Sequence, residues 1–537
     1  MTATPKNLFE IAQGPLPETS LEQVGNKAWN LMRMAAAGLP VPAAFVLPTA
    51  WCRRAGAETE LPGALADGMA RLEARTGLGF GAARKPLLVS VRSGSAASMP
   101  GMMETVLDVG LNPDAVDGLI RMTGNPRLGW DCYRRLIQGY AEVVQGLPAE
   151  TFDELVTQAI ARDEVESERD LDFRSLRQLT RDMTARFHEL TGEAFPVDPM
   201  EQLEKAAAAV FRSWDAPKAA AYRRLNKIDD AAGTAVTVER MVFGNAGGNS
   251  GSGVGFTRNP ATGEHELYLD FRFNGQGEDV VAGRRRTSDH ERLRRILPEI
   301  WRQIEAMSGT LENLFGDAQD FEFTVEDGAL WLLQARSAKR TPWAAVKIAV
   351  DLVEEGLIEP KAALRRLEGI DLRRVARTRF EVNGAQPLAR AQAASIGVAS
   401  GPIALDAAGA MRLENPILVR RDMATADIEG IARAVGVLTA TGSRTSHAAV
   451  VARQLGKVCV VGCADLEVDP VRAACRIHGK SLVEGDVISL DGNDGCIYAG
   501  KLEMVTERPE RELASIAQWK SGRAPRLAGT NASITNP

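Results

Sequence analysis

In the last quarter of the chain, Thr445-Ser446-His447 follows the strand-like run "GVLTATGSR" and precedes "AAVVARQLG". The pattern predicts a helix beginning here, with Thr445 or Ser446 as its cap. His447 then stands where free backbone N–H groups and the positive end of the helix dipole face outward. A neutral imidazole nitrogen is a competent nucleophile. A phosphoryl group carried on that nitrogen is a dianion, which such a helix start stabilises. The same dipole disfavours the imidazolium cation and so keeps the ring in its nucleophilic form. A histidine packed at a helix start for structural reasons alone has the same local pattern.

Phosphate chemistry also needs cations and hard oxygen ligands, and three distant segments offer them. Lys27 lies beside a glycine in "GNKAWNL", and Arg92 ends the strand-like "PLLVSVR" before a Gly/Ser/Met-rich loop whose amides can approach phosphates. No Walker A pattern is present, which argues against a P-loop kinase. The third segment, "DFEFTVEDGALWLLQAR", reads as a hairpin around Asp327-Gly328. Alternation sets Phe321, Phe323 and Val325 on one face and Glu322 and Thr324 on the other. A three-residue loop places Glu322 opposite Gln334, with Arg336 on the same face. A two-residue loop shifts the pairing by one step and flips the faces. With the longer loop, Glu322 and Gln334 supply oxygen ligands for Mg²⁺ and Arg336 a cation for phosphate. The competing reading of these three residues is the polar outer face of an antiparallel sheet.

Several elements must position these groups. Residues 1–110 mix helix and strand signals, and "NKAWNLMRMAAAG" reads as a helix stopped at Gly38. Residues 112–230 read as mainly helical. Strand character returns at "TAVTVERMVFG", which is expected to alternate. "TPWAAVKIAVDLVEEGLIEPKAALRRLEGI" is helical with a break at Gly356 and Pro360, and 371–393 reads as a linker. A compact unit of short strands around one clear helix, "SHAAVVARQLG", follows. Gln276, Glu278 and Asp279 precede a basic run that reads as a solvated helix start.

Composition narrows the class. A chain of 537 residues is too long for one core. The 64 Lys+Arg against 70 Asp+Glu leave a net charge of −6, the wrong sign for a nucleic-acid footprint. The six cysteines are scattered, so no disulfide framework is expected. Cys459 and Cys463 lack a second pair with zinc spacing and read as small buried apolar residues. The N-terminus has no secretory pattern, and no apolar run reaches the roughly 20 residues that span a bilayer. A reducing cytoplasm, without a membrane partner, is the expected setting.

Together these segments resemble the pyruvate phosphate dikinase family. The resemblance runs in register from "GNKAWNLMRMAAAGLPVPAAF" through "LLVSVRSGSAASMPGMMETVLDVGLN", "NPRLGWDCYRRLIQGYAEVV", "GTAVTVERMVFGNAGGNSGSGVGFTRNPATGE" and "NGQGEDVVAGRRRT". It ends in "FEFTVEDGALWLLQARSAKRTPWAAVKIAVDLVEEGLI" and "TSHAAVVARQLGKVCVVGC". It implies an α/β and α+β multidomain protein: an ATP-grasp nucleotide-binding domain with a helical insertion, a helical connector, and a swivelling β/β/α phosphohistidine domain. The expected boundaries are 1–111 and 201–340 for the two parts of the ATP-grasp domain and 112–200 for the helical subdomain. They continue with 341–393 for the connector and linker, 394–507 for the phosphohistidine domain, and 508–537 for a disordered tail poor in apolar residues.

The resemblance further implies that ATP phosphorylates His447 with release of AMP. In the dikinase branch a pyrophosphoryl-histidine forms first, and orthophosphate takes its terminal phosphoryl group. Lys27 and Arg92 match nucleotide-phosphate contacts. Glu322, Gln334 and Arg336 match the nucleotide and Mg²⁺ site, Glu322 and Gln334 being the metal ligands. Arg444, Thr445 and Ser446 match the loop supporting the phosphohistidine. The sequence also departs from the family. Ala440-Thr441-Gly442-Ser443-Arg444 stands where Glu-Arg-Gly-Gly-Met is usual, Asp270 where Glu is usual, and Glu239 where Gln is usual. The large barrel that binds phosphoenolpyruvate and pyruvate has no counterpart in these residues. The expected partners are therefore ATP, orthophosphate, and an acceptor bound outside this chain: pyruvate on a separate barrel protein, or another small molecule. A homodimer is compatible with this, and nucleic acid is not expected. The alternatives are a nucleotide-binding regulatory homologue and a piece of a longer enzyme.

Overall fold

The computed structural model describes residues 8–54, 57–97, 99, 102–277, 290–423, 427–442, 447–469 and 472–521. Contacts divide the chain into two compact units: 1–251 with 322–335, and 252–321 with 336–537.

The first unit opens with β1 (Phe9–Ile11), α1 (Leu21–Ala36), β2 (Ala44–Leu47) and α2 (Ala57–Thr76). A short pair, β3 (Gly79–Phe80) and β4 (Pro86–Leu87), leads to β5 (Val89–Gly94) and β6 (Thr105–Val109). Helices α3 (Pro113–Thr123), α4 (Pro126–Val143), α5 (Glu150–Arg162), α6 (Phe173–Thr191), α7 (Pro199–Arg212) and α8 (Pro217–Asn226) follow, and then β7 (Ala235–Arg240). Asn112, Asn125, Asp172 and Asp198 accept hydrogen bonds from the first-turn amides of α3, α4, α6 and α7, which fixes where these helices begin. The sheet runs β1-β2-β7-β5-β6 with every neighbour antiparallel.

One face of this sheet is apolar. Val89, Val91, Val236 and Val238 enter a core shared with Leu65, Leu136, Tyr140, Phe187, Leu203 and Val210 from the helices. The helices of 112–200 share this core with the sheet. The strand "TAVTVER" does not alternate in burial, because β7 lies in the middle of the sheet and Ala235–Glu239 are all buried. Asp131 of α4 binds Arg134 at 2.9 Å and Arg135 at 3.2 Å, and accepts from the Asn245 amide at 3.2 Å. Burial alone would raise this carboxyl; Arg135, Arg134 and Arg127 overcome it and hold the group well below the ordinary carboxylate range.

The second unit contains β8 (Gly251–Phe256), β9 (Tyr268–Phe273), α9 (His290–Ile296) and α10 (Pro298–Phe315). The hairpin strands β10 (Gln319–Glu326) and β11 (Ala329–Ser337) complete a four-stranded sheet of order β11-β10-β8-β9. The outer half of the hairpin, 322–335, counts with the first unit. Arg258, fully buried, is clamped by Glu312 of α10 at 2.8 Å and by Glu355 at 2.6 Å. Two connector helices follow, α11 (Pro342–Glu354) and α12 (Pro360–Arg366). They pack against Ile516 and Trp519. Those two residues belong to a helix, Glu510–Lys520, in the segment expected to be a disordered tail. Its apolar residues are few, but they share one face of the helix, so composition alone misreads it. Residues 522–537 lie outside the described residues.

The segment read as a linker, 371–393, also carries strands. β12 is Arg377–Glu381, β13 Ala389–Arg390 and β14 Gln392–Ser395. Beyond it come β15 (Val398–Ala404), α13 (Ala407–Arg412), β16 (Ile417–Arg420), α14 (Ile428–Arg433), β17 (Gly436–Thr439), α15 (His447–Gln454) and β18 (Val458–Val461). A small meander, β19 (Leu466–Asp469), β20 (Ala474–Ile477) and β21 (Lys480–Val483), precedes β22 (Val487–Asp491), β23 (Cys496–Ala499) and β24 (Glu503–Glu507). Eight strands form one sheet, β13-β23-β22-β15-β16-β17-β18-β14. Its two edge strands are separated in sequence by Ala391 alone, so the sheet curls into a nearly closed barrel. Ile403, Ile417, Leu438, Val460, Ile488 and Leu490 fill the inside. Leu418, Val437, Cys459 and Val461 point outward under Ala410, Ile431, Ala449 and Ala452 of α13, α14 and α15. Three helices therefore cover this unit where the sequence shows one clearly; α13 and α14 are too short to carry a periodic pattern. Cys459 and Cys463 are buried and form no disulfide.

Candidate active site

Register places the first group of functional residues. Across β5 and β7, Ser90 faces Glu239 and Arg92 faces Thr237. Partners directly opposite each other share a sheet face, as do residues two apart, so Arg92 and Glu239 are diagonal neighbours on one face. It is the face opposite the apolar core. The Arg92 guanidinium donates to a Glu239 carboxylate oxygen at 2.9 Å, with the side chains 14% and 2% exposed. The other Glu239 oxygen is buried and has no hydrogen-bond partner among the described residues.

Helix α1 covers this face and brings Lys27. Gly25, inside α1, has φ +75, and a Cβ there would lie 2.2 Å from the Gly94 carbonyl oxygen, so only glycine lets α1 approach the end of β5 this closely. The Asn26 amide donates to the Ser95 carbonyl at 2.9 Å and completes the junction. The Asn30 side-chain amide donates to the Ala335 carbonyl at 2.9 Å, which ties α1 to the hairpin. Glu322 arrives on that hairpin. Burial pushes the Glu239 carboxyl up from its ordinary value; Arg92 and Lys27 pull it back, and Glu322 pushes it further up. All three groups therefore lie within electrostatic reach of Glu239.

The hairpin itself corrects one expectation. Its turn has two residues, Asp327 and Gly328, both at positive φ, and not the three that the facing of Glu322 and Gln334 was taken to require. The burial alternation of β11 instead skips a step at Leu333 and Gln334, both half-buried, between the buried Leu332 and Ala335. After that step Arg336 meets Asp320 at 2.8 Å. Asp320 is two residues from Glu322 on β10 and shares its face, so Arg336 lies on the polar face that the sequence assigned to it. The burial pattern of β11 changes phase at that step, which the two-residue turn does not account for.

His447 opens α15, the next described element after β17; residues 440–446 lie between it and the end of that strand, which is parallel to both its neighbours. Carboxyl ends of parallel strands are where α/β sheets present their chemistry. The chain leading there is pinned as far as Thr441: the Ala440 and Thr441 amides donate to the Arg420 and Arg421 carbonyls, at 3.1 and 2.9 Å. Arg444, Thr445 and Ser446 lie outside the described residues, as do Glu278 and Asp279. Sequence reasoning flagged Glu239 as a departure but missed its ion pair with Arg92. The signal was present in the polar positions of "VSVR" and "VTVE", and it needed the strand register to be read.

Divalent-cation chemistry fits the donors at this face. Glu322 and the hydrogen-bond-free Glu239 oxygen are carboxylate oxygens, the hard ligands Mg²⁺ prefers. Among the described residues no group of three or more His, Cys, Asp or Glu side chains is assembled as a metal cluster. No described helix is long and apolar enough to cross a membrane.

The chain matches the model of the pyruvate phosphate dikinase AMP/ATP-binding domain over residues 52–303. It matches that of the mobile domain of PEP-utilising enzymes over 413–495. It is 41% identical over 509 residues to a pyruvate, phosphate dikinase of Clostridium symbiosum, covering 92% of this chain and 58% of that protein. It is 40% identical over 533 residues to the chloroplastic enzyme of Flaveria pringlei, covering 97% and 56%. For the enzyme of Rhizobium meliloti (strain 1021) the figures are 39% over 533 residues, 95% and 59%. The chain thus spans less than two thirds of the length of these relatives. The two matched regions are a nucleotide-binding domain and the mobile domain of PEP-utilising enzymes. The chain belongs to the pyruvate phosphate dikinase family, over those two domains.

Proposed function

We propose that this chain performs the nucleotide half of a dikinase reaction. ATP binds an ATP-grasp site over the polar face of the β5–β7 sheet, where Lys27 and Arg92 hold phosphate oxygens. Glu322 and Gln334 would hold Mg²⁺, which when bound neutralises polyphosphate charge; Arg336 serves as a further phosphate-binding cation. A ring nitrogen of His447 attacks the β-phosphorus, the bond from that phosphorus to the bridging α–β oxygen breaks, and AMP leaves. Orthophosphate then takes the terminal phosphoryl group, and pyrophosphate and phosphohistidine remain. Arg444, Thr445 and Ser446 support the phosphorylated ring. The mobile domain swivels to carry the group to an acceptor bound outside these domains, pyruvate on a barrel or another small molecule.

The observation that carries this reading is the buried Arg92–Glu239 pair on one sheet face, with α1, which carries Lys27, held against the end of β5 and tied to the hairpin that carries Glu322. ATP labelled in the β-phosphoryl tests it. Wild type is expected to acquire an acid-labile label that His447→Ala does not. Equal labelling of the two proteins, or none of wild type, overturns it.

A further inference from the structure

Glu239 has no role in the reaction as just described, yet it holds the guanidinium on which that reading depends. Its carboxylate is 2% exposed, 2.9 Å from Arg92, and keeps a second buried oxygen without a hydrogen-bond partner among the described residues. The groups facing it are Ser90 and Arg92 of β5, Ala44 of β2, Lys27 of α1 and Glu322 of β10. Lys27 and Arg92 bring positive charge to Glu239, and Glu322 brings further negative charge. A polyphosphate arriving there meets both carboxylates as well as both cations. One of those carboxylates is fixed beneath Arg92 and cannot turn into solvent.

We propose that Glu239 is a specificity-determining residue of the nucleotide site: by competing for Arg92, it selects cation-neutralised polyphosphate over free polyphosphate. This rests on the nucleotide-site reading above. A free triphosphate would set its full negative charge beside a buried carboxylate, and close like charges oppose binding strongly. A divalent cation bound to the phosphates removes most of that repulsion and gives the second Glu239 oxygen a partner. Replacing the carboxylate by an amide of the same shape keeps a hydrogen-bond acceptor for Arg92 and removes the charge.

Equilibrium binding of ATP by the full chain tests this, measured by calorimetry with excess Mg²⁺ and again with a chelator. Wild type is expected to bind ATP at least about tenfold more weakly in chelator than in Mg²⁺. Glu239→Gln should shrink that ratio several-fold, mainly by tightening chelator binding, whereas Glu239→Asp, which keeps the charge, should preserve it. A purely structural role would move the melting temperature and both affinities together, and leave the ratio unchanged. A wild-type ratio below about threefold overturns the proposal whether or not the variants fold, and so does an unchanged ratio in a folded Glu239→Gln. If wild type binds ATP in neither condition, the nucleotide-site reading falls as well. ATP binding with His447 labelling but no effect of Glu239→Gln sinks only the present inference.

Discussion

Each unit of this chain buries a guanidinium against carboxylates, and the two are closed to different degrees. Arg258 is completely enclosed: Glu312 and Glu355 each take two of its N–H groups, and Asp351 lies 3.8 Å away. Burial would lower its basicity, but Glu312 and Glu355 more than reverse that and raise it. Arg92 reaches Glu239 through a single contact and stays partly exposed, while Glu239 keeps an oxygen without a hydrogen bond among the described residues. The first arrangement is saturated and serves to lock β8, α10 and the end of α11 together. The second has capacity left over at a face that three separate segments converge on. Under the proposed nucleotide-site reading, saturation rather than burial is what distinguishes the two charges.

Arg258→Met tests the saturated side and carries the largest expected effect. It strands two carboxylates, one of them buried, and should cost about 3–5 kcal/mol of stability, read as a lower urea midpoint. A loss under about 1 kcal/mol would erase the contrast. On the open side, Arg92→Gln should weaken Mg-ATP binding about ten- to a hundredfold, the worth of a charged hydrogen-bond donor. It also leaves Glu239 buried without its cation and so lowers the melting temperature. The double variant Arg92→Gln/Glu239→Gln should recover most of that stability and none of the affinity; joint recovery would make the pair structural after all. The smallest effect concerns a second saturated centre. Asp131 has a folded pKa below its usual 3.8, so its contribution to stability is intact above that value and is lost as pH falls through the folded one. The stability gap between wild type and Asp131→Asn should be constant above about pH 5 and narrow below about pH 4. A gap that does not change with pH would show that Arg134 and Arg135 do not act on Asp131 through its charge.

How much of this was legible in the sequence depended on whether a feature is local. His447 could be placed because a strand end, a small-residue loop and a helix start are all short-range patterns. The hairpin could be placed from Asp327-Gly328, but its register could not, because the step at Leu333–Gln334 has no signature in residue type. The Arg92–Glu239 pair joins positions on two strands that are neighbours only after the intervening helices have folded, so spacing could not reveal it. The helix Glu510–Lys520 was hidden for the same reason: Ile516 and Trp519 look isolated until α11 and α12 provide the surface they cover.

The pairing of β12 with β24 has a consequence for how this protein is made. Arg377 through Glu381 lie opposite Glu507 through Glu503, Arg379 binds Glu507 at 2.8 Å, and the whole barrel lies between the two strands. When β12 leaves the ribosome its partner has not yet been translated. Trp519, which covers the connector helices, comes later still. Loop closure over such a span is entropically costly unless the intervening chain is already compact. A compact barrel brings β24 back to β12 at a lower entropic cost than an unfolded insert would, so the pairing is expected to follow barrel folding. The residues that cover the connector follow the barrel in sequence, so a barrel defect is expected to leave α11 and α12 exposed to chaperones and proteases for longer.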